Sequence, residues 1–157
     1  MRVTKRTNIA FRVLMFCAVH AGRLVTKAEI AERCNTSESH LAQVINRLAQ
    51  LGYLHTQRGR AGGITLARPM AEIELGGVFR HLEAQAPLAE CFADVDNTCP
   101  LVPACRLREA MAGAAEAFYA HLDRMTLDDL ICENVALADI LNPPPCAKRV
   151  ETTRPVY

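Results

Sequence analysis

The chain has 157 residues, half of them hydrophobic, and a formal net charge of +1 that divides into a basic front (residues 1–70, net +8) and an acidic back (residues 71–157, net −7). One domain with an appendage fits that length, with enough apolar side chain for a core, and the charge division is that of a chain whose first half meets a polyanion. The apolar run "VLMFCAV" after the basic start spans only seven residues between Arg12 and His20, which excludes a membrane span of ~20 residues and argues against a signal peptide.

Residues 6–20 place Ile9, Val13, Phe16 and Cys17 on one helical stripe, ended by Gly22. "TKAE" at residues 26–29 is a capping box that opens a short helix to Cys34. "NTSES" at 35–39 reads as a turn, with Thr36 or Ser37 as the next N-cap. A third helix carries Leu41, Val44, Ile45, Leu48 and Leu51 at helical spacing and stops at Gly52. Two helices joined by a tight polar turn, with a first helix behind them, make a helix-turn-helix. "YLHTQ" (53–57) alternates like a strand, "RGRAGG" (58–63) is a glycine-rich turn, and "ITLA" (64–67) is a second strand. A hairpin in that place is a wing, whose glycines permit positive φ at its tip. The glycine run is not a phosphate loop, because no Gly-Lys-Ser/Thr follows it and the next element is a strand.

A helix over 76–83 and a cysteine loop over 85–103 come next, and then a long helix from about Ala104. Leu107, Met111, Ala114, Phe118 and Leu122 form one apolar stripe on it. The small residues at 112–115 allow a close partner, and the stripe predicts pairing with a second copy over packing onto its own domain. "TLDD" at 126–129 is a second capping box, opening a last helix to about Leu141. "NPPPCAKRVETTRPVY" reads as a mobile tail. The expected fold is mainly α. It divides into a winged helix-turn-helix domain with a two-stranded wing (1–83), a cluster-binding loop (84–104), a dimerisation helix with a C-terminal helix (105–141) and the tail (142–157).

The third helix of such a unit enters the major groove. Ser37, Ser39, His40 and Gln43 occupy the exposed face near its start, and Ser and Gln read base edges. Arg58 and Arg60 on the wing suit phosphates or a narrow minor groove. Arg2, Lys5 and Arg6 are placed to clamp the flanking backbone.

Cys91, Cys99 and Cys105 follow the order C-x7-C-x5-C. In a reducing cytoplasm, metal or redox chemistry outranks disulfides as their purpose. Zinc sites use tighter C-x2-C pairs and four protein ligands, and no fourth Cys or His is near: His81 is ten residues upstream. The spacing favours an iron–sulfur cluster with a weak or foreign fourth ligand; zinc and redox thiols stay open. Cys105 falls at a helix start, where the dipole favours a thiolate. Cys17, Cys34 and Cys132 read as small buried hydrophobes, and Cys146 as an incidental thiol. No nucleophile–base pair or carboxylate pair accompanies the loop, which disfavours an enzyme.

Together "MRVTKRTNIAFRVLM", "RGRAGG" and "CPLVPACRLREA" resemble the Rrf-type winged-helix repressors that carry iron–sulfur clusters, over residues 1–141 or so. The resemblance implies a cytoplasmic homodimer on double-stranded, palindromic promoter DNA, with a cluster (4Fe–4S before 2Fe–2S) held by Cys91, Cys99 and Cys105. "SHLAQVINRLAQLGYL" is most similar to the nitric-oxide-sensing members, and "ECFAD" with the seven-residue gap is also similar to iron-regulating ones. Nitric-oxide sensing is therefore the expected signal, and iron regulation the alternative. In the nitric-oxide-sensing pattern residue 8 is acidic and completes the cluster from the second chain. Here it is Asn8, a poor iron ligand, which leaves the fourth position to water, a small molecule or another side chain. A family pattern with His two residues after the last Cys is absent, since Leu107 stands there.

Overall fold

The computed structural model describes residues 3–83, 87–93 and 97–141; Arg2, Cys146 and the tail read over 142–157 lie outside the described residues. Helix α1 (Lys5–Val19) starts at Thr4, whose side chain accepts a hydrogen bond from Thr7 N. It buries Ala10, Leu14 and Ala18 besides the expected Ile9, Val13, Phe16 and Cys17. A helix apolar on so wide a face is a central one with neighbours on several sides. It ends through Gly22, whose φ of +93° costs a glycine nothing.

Helix α2 (Lys27–Arg33) begins with the expected capping box. Glu29 Oε2 accepts from Thr26 N at 2.6 Å, and Thr26 Oγ1 accepts from Glu29 N at 3.2 Å. Thr26→Ala is expected to cost about 1 kcal/mol and lower Tm by about 3 °C. A thermal melt checks this; an unchanged Tm would mean that Arg23, which also bonds Glu29, holds the turn alone.

Helix α3 (Glu38–Gln50) follows a turn in which Asn35 takes a φ of +47°. Ser37 is at the N-cap position but makes no capping bond. Its hydroxyl lies 3.1 Å from His40 Nδ1 instead, and 3.4 Å from Ser39 Oγ. Leu41, Val44, Ile45 and Leu48 face the core, as their spacing predicts.

Strands β1 (Leu54–Gln57) and β2 (Gly63–Leu66) pair antiparallel, with Leu54 opposite Leu66 and Gln57 opposite Gly63. The wing tip turns through Gly59 at a φ of +110°. A third rung was not legible in the pattern. Val25, between α1 and α2, exchanges hydrogen bonds with Ile64 at 3.0 and 2.8 Å. The backbones are close there: a Cβ on Gly63 would fall 2.8 Å from that of Leu24.

Helix α4 (Leu75–Glu83) leads to the cysteine loop, which contains 3₁₀ turns at Glu90–Phe92 and Val102–Ala104. Helix α5 (Arg106–Leu122) runs back over α4, and Arg80 Nη2 bonds Asp123 Oδ2 at 2.7 Å where they meet. The chain then rejoins the core. Leu127 N donates to Ile73 O at 2.8 Å, Leu75 N donates to Met125 O at 2.9 Å, and the Leu127 side chain is fully buried.

The single last helix expected from residue 126 is two helices, α6 (Leu127–Ile131) and α7 (Val135–Leu141). Asn134 makes the break. Its side chain donates to Leu130 O and accepts from Leu137 N, both at 3.1 Å, so it closes one helix and caps the next. Glu133 takes a φ of +59° between them. Cys132 is therefore exposed at a helix end, not buried as its apolar neighbours suggested.

Candidate DNA-reading face and cysteine loop

Ser37, Ser39, His40 and Gln43 are all exposed at the start of α3, and so are Lys5 and Arg6 at the start of α1. Packing of α1 on α3 brings the two sets together. Between them is a cavity of about 250 Å³ lined by Lys5, Arg6, Ile9, His40, Gln43 and Val44. Its floor is aliphatic, and its polar walls are two cations, an imidazole and an amide. Such a lining suits an anionic, hydrogen-bonding group.

Arg58 and Arg60 are exposed at the wing tip, and neither forms an ion pair among the described residues. The wing base is anchored by a group the sequence did not reveal. Tyr53 Oη lies 2.7 Å from His81 Nδ1, and Arg68 sits 5.0 Å over the Tyr53 ring while donating to Gly52 O at 3.1 Å. Burial pushes the Tyr53 hydroxyl above its usual range. His81, the histidine nearest the loop cysteines in sequence, thus has its Nδ1 at the wing base.

Cys91, Cys99 and Cys105 are free and half-buried. Cys105 is the N-cap of α5, and its Sγ accepts from Arg108 N at 3.4 Å. The Arg108 side chain reaches back, donating from Nε to Cys91 O at 3.0 Å and lying 5.0 Å over the Phe92 ring. Glu90 Oε1 accepts from Thr98 Oγ1 at 2.7 Å and Thr98 N at 2.8 Å. Those two bonds hold the Glu90 carboxyl below the usual carboxylate range. Asn97 Oδ1 accepts from Cys99 N at 3.2 Å. Arg108 and Glu90 thus fasten the loop at its ends and in its middle, and spacing alone pointed to neither.

The convergence expected of the three thiols is not reached in this conformation. Among the described residues, no three His, Cys, Asp or Glu side chains are close enough to hold one metal ion. Among the described residues the loop's hydrogen bonds serve its backbone, the Glu90 carboxylate and the Cys105 sulfur, and none draws sulfur to sulfur. The donor set itself fits a soft metal: three free thiols on a short, fastened loop. Asn8 is exposed on the first turn of α1.

No residue of α5 is buried. Its predicted stripe divides in two. Phe118 stands edge-on to Phe79 of α4 at 5.6 Å, and Leu122 packs on the core. Leu107, 67% exposed, is left open, together with Ala114 and the partly covered Met111.

A helix-turn-helix stitched to a two-stranded wing, with a polar third helix outward, is the architecture of a winged-helix transcriptional regulator. The chain belongs to the Rrf2 family, described as iron-dependent transcriptional regulators, which matches residues 3–133. It is 43% identical to the HTH-type transcriptional regulator NsrR of Geobacillus kaustophilus, over 90% of this chain and 97% of that one. It is 42% identical to the HTH-type transcriptional repressor NsrR of Streptomyces coelicolor, over 83% and 88%. Among solved structures, IscR of T. potens superposes with a TM-score of 0.64 at 25% identity, over 83% of this chain and 85% of that one. The cysteine regulator CymR of B. subtilis shares the fold with a TM-score of 0.65 at 23% identity, over 83% and 96%. The protein is a DNA-binding transcriptional regulator of the NsrR type, not an enzyme. No helix among the described residues is long and apolar enough to cross a membrane.

Proposed function

We propose that the chain is a cytoplasmic, homodimeric repressor that senses nitric oxide through an iron–sulfur cluster held by Cys91, Cys99 and Cys105. The observation that carries this reading is the bond pattern of the loop. One thiol caps α5 and the backbone of another is tied to α5 by Arg108, so the ligand loop and the long surface helix move as one. When bound, the cluster, 4Fe–4S in preference to 2Fe–2S, supplies iron open to a small diatomic ligand where protein ligands run short. The chain's own part is to hold the thiols, to join them to α5, and to present α3, the wing and the first turn of α1 to a palindromic promoter. A ligand shifts such an equilibrium only by binding one state better than the other.

Anaerobic reconstitution, followed by separate titration with nitric oxide and with an iron chelator, tests the reading by fluorescence anisotropy on promoter DNA. Release by nitric oxide is expected. The neutral Asn8, where the nitric-oxide-sensing pattern is acidic, favours one second reading, an iron-responsive repressor of the same family. Release by the chelator with indifference to nitric oxide would establish that reading instead.

For the DNA face, the Arg58→Ala/Arg60→Ala double variant is expected to lower the slope of log affinity against log salt by about two units, one per lost phosphate contact. Gln43→Ala should leave that slope alone and cost about 1–3 kcal/mol of discrimination at one base step. A double wing variant with wild-type affinity at physiological salt would move the DNA surface away from the wing.

A further inference from the structure

Glu83 is the last residue of α4, and neither the thiols nor the base-reading residues use it. It is bonded nevertheless to the start of the DNA face. Its Oε1 accepts from Thr4 N at 3.0 Å and from Thr4 Oγ1 at 2.8 Å, across 79 positions of sequence. Thr4 in turn caps α1, its Oγ1 accepting from Thr7 N at 3.2 Å, and Thr7 is wholly buried. The first N–H groups of a helix have no partner within it. Here a carboxylate from another helix bonds the N–H of the capping residue itself, at the end where the helix dipole favours negative charge. One turn back on α4, the Phe79 ring packs tilted against Phe11 of α1, centroids 4.6 Å apart. Helix α4 therefore grips α1 twice, and its polar grip is on the residue just before Lys5 and Arg6. Those two cations line the cavity that His40 and Gln43 of α3 complete.

We infer that Glu83 is a positioning residue for DNA binding: from the helix that leads into the cysteine loop, it holds the first turn of α1, with Lys5 and Arg6, against α3. This rests on the DNA-reading face described above. Without the carboxylate, Thr4 keeps its own capping bond but loses its anchor, and the first turn of α1 frays. Lys5 and Arg6 are then no longer held in place for phosphate, and ordering them again costs more than their two contacts return, so both contacts are lost.

The test uses the full chain and a labelled duplex of random sequence, because phosphate contacts do not depend on base sequence. Glu83→Ala is expected to bind about tenfold more weakly at low salt, with a salt slope smaller by about two units. Amide exchange at Thr7 and Asn8 should rise in step. Glu83→Gln keeps an acceptor oxygen for Thr4 and should bind within about threefold of wild type. Glu83→Ala with wild-type affinity and slope overturns the inference. So does a Glu83→Ala that melts earlier but keeps the wild-type slope, since that is a structural effect alone. A wild-type chain that ignores duplex DNA overturns the DNA-reading face and the positioning role together, which separates that failure from the first two.

Discussion

Cys91→Ser, Cys99→Ser and Cys105→Ser, each made alone, are expected to lower the promoter affinity of the reconstituted protein by about a hundredfold, or about 2.7 kcal/mol. Each removes one of three soft donors, and a serine hydroxyl does not replace a thiolate for iron. Hydrogen bonds link the segments that carry the three. Cys105 begins α5, Arg108 ties α5 to the backbone of Cys91, and Glu90 ties the start of the loop to Thr98 beside Cys99. Their effects should therefore be equal and not additive, since losing any one ligand undoes the same site. Cys17→Ser is the control. That thiol is buried in α1, and burial, with Cys34 nearby adding to it, pushes it up to about 12. It should stay unreactive to iodoacetamide at neutral pH in the folded protein while the loop thiols alkylate in the metal-free form and are protected after reconstitution. Metal-free protein that binds the promoter as tightly as the reconstituted form would sink the mechanism and leave the winged-helix assignment standing.

Leu107→Glu and Met111→Glu should turn the proposed dimer into monomers of 17.3 kDa. The open half of the α5 stripe is the place for a charge that a second copy would have to bury, and an unpaired charge in an apolar seam costs several kcal/mol, at least about a hundredfold in dissociation constant. The structure also says which residue makes a poor test. Phe118 is on the same stripe but meets Phe79 within its own chain, so Phe118→Glu would disturb the α4–α5 packing whether or not a dimer forms. Sedimentation of the two variants decides the matter. If both run like wild type, the seam is elsewhere or absent.

What was readable in advance is local chemistry with a fixed period. The capping box at Thr26 and Glu29 is visible because both partners lie within one turn of helix. The α3 stripe is visible because core contact repeats every three or four residues. The wing follows from alternation broken by the glycine-rich turn; its strands, 54–57 and 63–66, differ from the expected 53–57 and 64–67 by one residue at three of their four ends. The set of exposed residues at the start of α3 was likewise legible from the helical period and the N-cap.

The errors share a cause too. Asn134 divides the last helix because its amide satisfies two backbone groups at once, a competition that apolar periodicity does not register. Cys132 was misjudged with it. Ser37 holds the N-cap position but spends its hydroxyl on His40, a choice between two neighbours equally close in sequence.

By itself, the sequence determined the order of the elements, the helix-turn-helix and wing, the basic front and the three-cysteine spacing, because each is written in residues near one another along the chain. Only the tertiary structure decided what spans large separations. Val25 stitches to Ile64, Tyr53 pairs with His81, Phe118 turns inward to Phe79, and Glu83 reaches Thr4. A carboxylate at the end of one helix carries no mark of which distant N–H it will meet. That is settled by the packing of α4 on α1, where the burial of Phe11, Val13 and Val78 sets the helix positions and the polar contacts follow.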